Sequence, residues 1–529
     1  MKQFNRRSFL STSLAAMPAI MLPRIDSLNI SSSVAKTVYG KVQGYIFNDI
    51  HIFRNIPYGA STAGTNRFLP PKKPNKWKET LRVDKAGNRC MQSEGSVFHS
   101  PEIGDYFAGG RKDRLSIITE HESEDCLNLN VSTPSLSGSR PVMVYIHGGG
   151  FAAGSGVLTV FGDRHVKGQD VVLVGVNHRL NAFGYLYLGE LDKKYETGNV
   201  GQLDIIAALE WVRDNISNFG GDPSNVTIFG ESGGGAKIST LLAMPAAKGL
   251  FHKAIIQSGS LLNVSDSSQA TEITKTVMSN LRISKVSDLE KMSGSDLYNS
   301  IRDLNLMRFG PVIDGRTILN QTWSPSAPEI AKDIPVLIGN DKDESTIFLL
   351  GQYELFNLDE SGLIKKLTEA KLSPEMTKTA IELYRKKYPN ESYSDLFFRI
   401  STDRGARYNA TRQAEILLAS GNPNVYMYYF QWNTKLENGK LRSFHTCDLP
   451  LIMRLVQDPD SETLSRMLSE AWANFARTGK PGGENLQWPT YTLGNRDTLV
   501  FDAKESKAVA DPGREERELL NDHPSGSLL

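Results

Sequence analysis

The sequence predicts an α/β fold with a mostly parallel central sheet, flanked by helices and enlarged by helical insertions. Short runs rich in β-branched and other apolar residues have the length of strands buried on both faces. These runs lie at residues 141–147, 171–177, 226–229, 254–258, 335–339 and 424–432. Segments with helical periodicity alternate with them, as in residues 202–217, where Leu203, Ile206 and Leu209 fall on one stripe. Two further segments, 265–305 and 360–420, are predicted to be mostly helical.

The overall composition indicates one large globular unit. Hydrophobic residues make up 40% of the 529 residues, which is enough to fill a substantial core. The 60 Lys and Arg residues almost balance the 59 Asp and Glu residues, so bulk charge argues against nucleic acid or a membrane surface as a partner. Because no linker, charge block or internal repeat divides the chain, we expect residues 36–529 to form a single domain.

The first 35 residues have the pattern of an export signal. A basic start that includes Arg6 and Arg7 precedes an apolar run at residues 14–22, which is too short to span a bilayer. The sequence Asn-Arg-Arg-Ser-Phe-Leu at residues 5–10 resembles a twin-arginine signal, which an export receptor reads. We therefore expect residues 1–35 to engage the export machinery, and the mature chain to be periplasmic or secreted without stable membrane insertion. A basic start followed by a core segment is the alternative. Ser33-Val-Ala35 is a possible small-residue cleavage site, and the end of the signal stays open.

Residues 226–236 form the most informative local pattern in the chain. A β-branched run ends at Gly230, a serine follows at Ser232, and three glycines lead into a helical segment. This order is typical of a strand, a sharp turn and a helix with the serine at the apex, where neighbouring glycines leave room for the strained turn. We expect Ser232 to present an exposed, reactive hydroxyl. A glycine-rich structural turn is the alternative interpretation.

A serine hydroxyl becomes an effective nucleophile only when a base accepts its proton. Where such a turn supplies the serine, an acid and then a histidine follow it in the chain. This order leaves His445 and His523 among the nine histidines. His523 lies in a polar tail with Pro and Gly, whereas His445 follows a predicted strand, so we identify His445 as the base. A hydrogen-bonded surface histidine is the alternative.

The acid that would orient the histidine has three candidates. Asp341, Asp343 and Glu344 all follow the end of the strand predicted at residues 335–339. One of them would stabilise the imidazolium that forms during catalysis. Spacing does not distinguish among the three, and solvated loop charges are the alternative for all of them.

A run of three glycines follows another predicted strand. The sequence His-Gly-Gly-Gly-Phe at residues 147–151 matches the type of loop that supplies an oxyanion hole. Glycines let backbone N–H groups approach the developing negative charge of a tetrahedral intermediate. A triple glycine alone is often only a turn, but its combination with Ser232, His445 and the acidic residues predicts an oxyanion hole.

Together these motifs resemble the type-B carboxylesterases and cholinesterase-like esterases, a family with the α/β-hydrolase fold. The resemblance extends from about Thr37 to Pro512. Besides the serine turn, its motifs are Glu-Asp-Cys-Leu-Asn-Leu-Asn-Val at 124–131, Asn-Val-Gly-Gln-Leu-Asp at 199–204, Asn-Phe-Gly-Gly-Asp-Pro at 218–223, Phe-Gly-Pro-Val-Ile-Asp-Gly at 309–315 and Trp-Ala-Asn-Phe-Ala-Arg-Thr-Gly at 472–479. They occur in the order that the family has, so the signal is specific. The export signal would make this chain a bacterial exported member.

The resemblance implies a serine carboxylesterase that forms an acyl-enzyme and needs no metal or organic cofactor. The catalytic residues that it implies are Ser232, Glu344 and His445, and the oxyanion-hole residues are Gly149, Gly150 and Gly233. Three positions depart from the family pattern. Ser345 and Thr446 stand where glycine is usual, and a cysteine at Cys447, beside the site, is unusual. None of these departures removes a catalytic group.

The resemblance also implies a disulfide and a substrate class. Cys90 and Cys126 fall where the family forms its first disulfide, which would leave Cys447 free. Three free thiols are the alternative. Between Cys90 and Cys126 the chain lacks the tryptophan that attracts quaternary ammonium groups in choline-ester enzymes of the family. We therefore expect small-molecule esters without charge as substrates.

Two other functions fit parts of the sequence. A lipase or carbohydrate-ester hydrolase of the same fold would share these motifs, and only pocket shape and substrate trials separate it from a carboxylesterase. A non-catalytic, cholinesterase-like binding protein is the other alternative. Such relatives usually lack the nucleophile or the base, whereas this chain has both Ser232 and His445.

Overall fold

In the computed structural model, which describes residues 31–92, 100–109, 120–304, 309–455 and 459–525, 13 strands form one sheet. The strands are β1 Ser31–Lys36, β2 Lys41–Phe47, β3 Ile50–Pro57, β4 Leu81–Arg82, β5 Asn128–Thr133, β6 Arg140–Ile146, β7 Val172–Val176, β8 Gly221–Glu231, β9 Lys253–Gln257, β10 Val336–Asp341, β11 Val425–Phe430, β12 Asp497–Phe501 and β13 Lys507–Ala510. Their spatial order is β1-β2-β3-β5-β7-β6-β8-β9-β10-β11-β12-β13, and β4 pairs with β2.

The centre of this sheet is parallel and its edges are antiparallel. The strands from β7 through β6, β8, β9, β10 and β11 to β12 pair in parallel. Strands β1, β2, β3 and β5 extend one edge in antiparallel pairing, and β13 closes the other edge. The predicted mostly parallel sheet is thus confirmed.

Helices cover the sheet and connect its parallel strands. They are α1 Pro101–Ala108, α2 Asp163–Gln169, α3 Asn181–Tyr185, α4 Val200–Asn215, α5 Gly233–Leu241, α6 Ser267–Leu281, α7 Ser287–Lys291, α8 Gly294–Ile301, α9 Glu360–Glu369, α10 Pro374–Lys387, α11 Tyr393–Arg404, α12 Ala406–Ala419, α13 Leu449–Ile452, α14 Glu462–Thr478 and α15 Arg514–Leu520. The insertions predicted at residues 265–305 and 360–420 are helical, with α6 to α8 in the first and α9 to α12 in the second. Within the described ranges, no helix has both the length and the apolar character required to cross a bilayer.

The parallel strands contribute to two hydrophobic cores, one on each face of the sheet. Along β6, Val142 and Val144 pack into one core, whereas Met143 and Tyr145 pack into the other. This division follows from strand geometry, because successive side chains point to opposite faces. Both faces are apolar because helices cover both, which explains why these strands could be recognised as continuous apolar runs.

The antiparallel edge was not predicted from the sequence. In β1 and β2 buried residues alternate with exposed or half-buried ones along much of each strand, so neither sequence contains a continuous apolar run. Strand β1 also bears on the predicted export signal. Its span, Ser31–Lys36, includes the last five residues of segment 1–35, while residues 1–30 lie outside the described part of the chain.

The predicted functional residues lie together at the carboxyl ends of the parallel strands. Ser232 directly follows β8, and the glycine run at residues 148–150 begins two residues after β6 ends. Glu344 lies three residues beyond β10, and His445 follows β11 after a longer loop. Ligand sites of open α/β sheets lie outside the carboxyl ends of the strands.

Candidate active site

Ser232 occupies the turn between β8 and α5. Its backbone angles, φ 58° and ψ −125°, are unfavourable for a residue with a side chain, as expected at a nucleophile elbow. The Ser232 N–H donates to the carbonyl of Gln257 at 2.8 Å, which ties the turn to the end of β9. A Cβ atom on Gly230 would lie 2.5 Å from the Ile146 carbonyl oxygen, and one on Gly234 would overlap that oxygen. Glycine is therefore required at both positions.

His445 and Glu344 meet beside this elbow. Nδ1 of His445 is hydrogen-bonded to Oε2 of Glu344, and both side chains are buried. Because the carboxylate accepts, Nδ1 carries the proton and Nε2 is left as the acceptor. Nε2 has no hydrogen-bond partner among the described residues, so it is not bonded to the Ser232 hydroxyl in this structure. Such catalytic hydrogen bonds often tighten only when substrate binds.

The structure separates the three candidate acids. Asp343 lies 3.4 Å from the Lys342 ammonium and accepts a hydrogen bond from the Ser443 amide at 3.3 Å. Asp341 accepts from the Thr446 amide at 3.0 Å. Of the three, Glu344 is the one in contact with the imidazole.

Further polar groups hold the Glu344 carboxylate in place. The Ser258 hydroxyl donates to Oε1 of Glu344 at 2.6 Å, and the Asp341 amide donates to the same oxygen at 2.9 Å. The Glu344 amide donates to the Thr402 hydroxyl at 3.1 Å. Neither Ser258 nor Thr402 is predicted from the sequence as a site residue. Ser258 had a detectable signal, because it ends the predicted strand 254–258 at the sheet edge that carries Ser232.

A second buried carboxyl group faces the other side of the imidazole. Oε1 of Glu231 lies 3.2 Å from Nε2 of His445. Burial raises the pKa of Glu231 to about 8, although the charge of His445 opposes this rise. Burial alone would lower the pKa of His445, but the carboxyl groups of Glu231 and Glu344 outweigh it and raise that pKa to about 9. From the sequence alone, Glu231 is only part of the serine turn, with no predicted role of its own.

Two more acids complete a buried cluster around the histidine. Burial, and then repulsion by Asp448, raises the pKa of Asp341 well above its usual value. Burial also raises the pKa of Asp448 to about 6. Asp448 accepts hydrogen bonds from the Tyr428 hydroxyl at 2.9 Å and the Gln257 amide at 3.1 Å. These interactions link the loop after His445 to β9 and β11.

The three predicted oxyanion-hole glycines lie together next to Ser232. Gly149 and Gly150 have φ of 82° and 60°, a left-handed conformation that favours glycine. Gly233 begins α5, so its N–H has no intrahelical partner. A Cβ on Gly233 would overlap backbone atoms of Gly150, which demonstrates how closely the two main chains approach. A Cβ on Gly148 would lie 3.3 Å from the Ser232 Cβ, so the glycine loop borders the nucleophile.

The predicted disulfide is absent from the structure. Cys90, Cys126 and Cys447 are buried free thiols. The Cys126 thiol nevertheless interacts with Cys90 through a side-chain hydrogen bond, which together with burial raises its pKa. The Leu180 amide donates to the Cys90 sulfur at 3.3 Å. The two predicted partners are therefore neighbours, but no covalent bond joins them.

Aromatic side chains lie beside the catalytic groups. The Phe348 ring, 36% exposed, has its centroid 5.0 Å from that of His445. Phe151 directly follows the glycine loop and packs against the edge of Tyr185 with a centroid separation of 5.0 Å. These rings give the surroundings of Ser232 an apolar character.

Comparison with known proteins identifies the family. The model of the carboxylesterase family matches residues 31–519, nearly the whole chain. The chain belongs to the carboxylesterase family. Para-nitrobenzyl esterase of Bacillus subtilis (strain 168) is 34% identical over 520 residues, which cover 93% of this chain and 99% of that protein. Liver carboxylesterase 1 of Oryctolagus cuniculus is 30% identical over 519 residues, with 87% and 88% covered.

Solved carboxylesterase structures have the same architecture. The crystal structure of the Geobacillus stearothermophilus carboxylesterase EST55 at pH 6.2 matches with a TM-score of 0.77 and 32% identity, and the match covers 92% of this chain and 99% of that one. The predicted family and the α/β-hydrolase fold are thus confirmed. This carboxylesterase is a carboxylic ester hydrolase, and in its family hydrolysis proceeds through a serine-bound acyl-enzyme.

Proposed function

We propose that this carboxylesterase hydrolyses uncharged esters with Ser232 as nucleophile, His445 as base and Glu344 as the acid that orients His445. The observation that carries the proposal is the Glu344–His445 hydrogen bond, which lies at the same carboxyl ends of the parallel strands as the Ser232 elbow. Ser232 Oγ attacks the ester carbonyl carbon while Nε2 of His445 accepts the hydroxyl proton. The carbonyl π electrons move to oxygen, which becomes the tetrahedral oxyanion.

The amides of Gly149, Gly150 and Gly233 would donate hydrogen bonds to this oxyanion. When the intermediate collapses, the carbon–oxygen bond to the alcohol breaks, and the alcohol leaves with the proton from His445. The acyl group stays on Ser232. Water then attacks the acyl carbon, gives a proton to His445, and the same proton returns to Ser232 as the carboxylic acid leaves. Each missing oxyanion donor typically costs about 10²–10³-fold in kcat.

The residue assignments are tested with a p-nitrophenyl ester and a fluorophosphonate label. Wild-type protein should hydrolyse the ester and carry the label on Ser232. Ser232→Ala should lose both properties and retain its thermal unfolding temperature, because the change removes one oxygen at a turn tip. His445→Ala should be nearly as inactive, since members of a triad act as one unit. A tenth of wild-type activity in folded Ser232→Ala would disprove the assignment.

The preference for uncharged esters rests on the surroundings of the catalytic groups. Phe348 and Phe151 supply apolar surface near His445 and the glycine loop. The name of the Bacillus subtilis relative, para-nitrobenzyl esterase, makes p-nitrobenzyl esters useful first substrates.

The substrate preference is tested by comparing butyrylcholine with a neutral butyrate ester of similar leaving-group reactivity. We expect kcat/KM for the choline ester to be no higher than for the neutral ester. A hundredfold advantage for butyrylcholine would mean that an aromatic group binds the quaternary ammonium after all.

We further propose that the protein is exported through its twin-arginine-like segment and forms the Cys90–Cys126 disulfide outside the cytoplasm. The charged and apolar pattern of residues 1–35 supports export. The contact between the two thiols supports the pairing. Cleavage after Ala35 would remove five of the six residues of β1, so we place the cleavage site before Ser31.

A further inference from the structure

Lys237 is a buried lysine directly behind the proposed oxyanion hole. It lies four residues after Gly233 on α5, so the two residues share one face of the helix. Its relative exposure is 0%. Complete burial of a lysine is rare, because removing an ammonium group from water is costly unless a partner compensates its charge.

No carboxylate compensates this charge among the described residues. Lys237 forms no ion pair within the described part of the chain. The nearby Asp204 carboxylate pairs with Arg179 at 2.7 Å. Lys237 Nζ instead donates to the carbonyl oxygen of His147 at 2.9 Å. It also lies 5.7 Å from the centroid of the Phe151 ring, within the range of a cation–π interaction.

Among the described residues, the titratable groups around Lys237 do not compensate its positive charge. The rings of His147 and His178 stack with centroids 4.6 Å apart. Burial, and then the charge of Lys237, lowers the pKa of His147 to about 3, and burial lowers that of His178 well below its usual value. Both rings are therefore neutral near pH 7. Tyr185 on α3 is neutral as well, because burial raises its pKa.

The contact partners of Lys237 are parts of the glycine loop. His147 precedes the run Gly148–Gly149–Gly150, and Phe151 follows it. A Cβ on Gly234 would overlap the Ile146 carbonyl oxygen and lie 3.2 Å from the His147 carbonyl carbon, so the start of the loop is pressed against α5. A hydrogen bond to the His147 carbonyl therefore fixes the point from which the loop turns toward Ser232.

We propose that Lys237 is a positioning residue for the oxyanion hole, whose buried ammonium group anchors the His147 carbonyl and places an uncompensated positive charge behind the Gly149–Gly150 turn. The charge stabilises the tetrahedral oxyanion more than the uncharged ester, because charge interactions strengthen in a buried environment. This role rests on the proposed function of Ser232 and the glycine amides. It extends that function to a residue that does not touch the substrate.

A pH dependence follows from this role. Burial lowers the pKa of Lys237 to about 7. As pH rises through that pKa the ammonium group loses its proton, and the stabilisation of the oxyanion is lost with the charge. We therefore expect kcat of the wild type to fall as pH rises above about 7. The groups that face Lys237 are His147 after β6, His178 and Arg179 after β7, Tyr185 on α3 and Asp204 on α4.

The test compares two uncharged variants, Lys237→Met and Lys237→Gln, with Lys248→Met, which alters an exposed lysine soon after α5. With a neutral p-nitrophenyl ester, we expect kcat of the Lys237 variants to fall about tenfold, with KM changed less than about twofold. Binding of a trifluoromethyl ketone, which forms an oxyanion on Ser232, should weaken by a similar factor. The alkaline fall of kcat should disappear in both variants and persist in Lys248→Met.

The outcomes separate this proposal from the proposed function. If the folded Lys237 variants keep wild-type kcat, inhibitor affinity and pH profile, the positioning role is wrong, even if their unfolding temperature is lower. Having two variants keeps the test decisive if one of them does not fold. If fluorophosphonate does not label Ser232 in the wild type, the proposed function itself fails, whatever the Lys237 variants do.

Discussion

At the scale of single residues, His445 has carboxyl groups on both sides of its ring. Nδ1 is bonded to Glu344, and Nε2 lies 3.2 Å from Glu231. Nε2 must be unprotonated to accept the Ser232 proton, so every carboxyl group that raises the pKa of His445 also raises the pH at which the enzyme becomes active. In the proposed mechanism, the hydrogen bond to Glu344 orients the His445 ring. The contact with Glu231 is therefore the better target for shifting the pH dependence.

We expect Glu231→Gln to move the acidic limb of the kcat/KM profile to lower pH. Among the neighbouring charges, that of Glu231 contributes most to raising the pKa of His445 to about 9. Removing it lowers that pKa, so neutral imidazole appears at lower pH. The measurement is kcat/KM for a neutral ester across pH. Glu382→Gln, at an exposed position of α10, is the matched control and should keep the wild-type profile. An unchanged acidic limb in Glu231→Gln would show that Glu231 does not raise the pKa of His445.

We expect Ser258→Ala to lower kcat about tenfold with little change in KM, which corresponds to about 1.4 kcal/mol. Its hydroxyl donates to Glu344 Oε1 at 2.6 Å, so the loss weakens the support of the carboxylate that orients His445. Steady-state kinetics on a p-nitrophenyl ester measure the effect. Ser260→Ala is a suitable control, because the buried Ser260 hydroxyl has no partner among the described residues. Equal kcat in the two variants would argue against a supporting role for Ser258.

At the scale of secondary-structure elements, close approach of α5 to β6 holds the elbow and the glycine loop together. We expect Gly234→Ala to destabilise the protein by about 3 kcal/mol or more, because its Cβ would overlap the Ile146 carbonyl oxygen. Gly168 is also helical, in α2, but a Cβ there meets nothing within 4 Å. Gly168→Ala should therefore stabilise by about 0.5–1 kcal/mol. Thermal unfolding of both variants is the measurement, and equal shifts would contradict the steric explanation.

At the scale of the whole molecule, the proposed export determines the state of the cysteines. Protein recovered from outside the cytoplasm should titrate one thiol after denaturation, that of Cys447, because the proposed disulfide would join Cys90 and Cys126. The bridge closes a loop of about 35 residues and would stabilise the fold by about 3 to 4 kcal/mol in a chain-entropy estimate. Cys126→Ser should titrate two thiols. Three thiols in the exported wild type would exclude the disulfide.

Much of the fold and the elbow could be predicted from the sequence because the constraints are local. Strands buried on both faces need continuous apolar runs, and the turn at Ser232 needs glycines, so both leave direct sequence patterns. The resemblance to carboxylesterases selected Glu344 from the three acids that local spacing had left open. The antiparallel strands β1 and β2 escaped prediction because their half-exposed faces break the apolar pattern.

The sequence by itself thus determined the family, the mostly parallel sheet, the serine turn and the shortlist of acids and histidines. Only the tertiary structure decided which side chains meet. Asp341, Asp343 and Glu344 lie within four consecutive residues, yet only Glu344 contacts His445, because the end of β10 and the loop after it direct the three side chains to different partners. The contacts of Ser258, Glu231 and Lys237 are likewise set by the tertiary structure. Their partners lie on other strands and loops, and contacts between distant segments exist only once the sheet has formed.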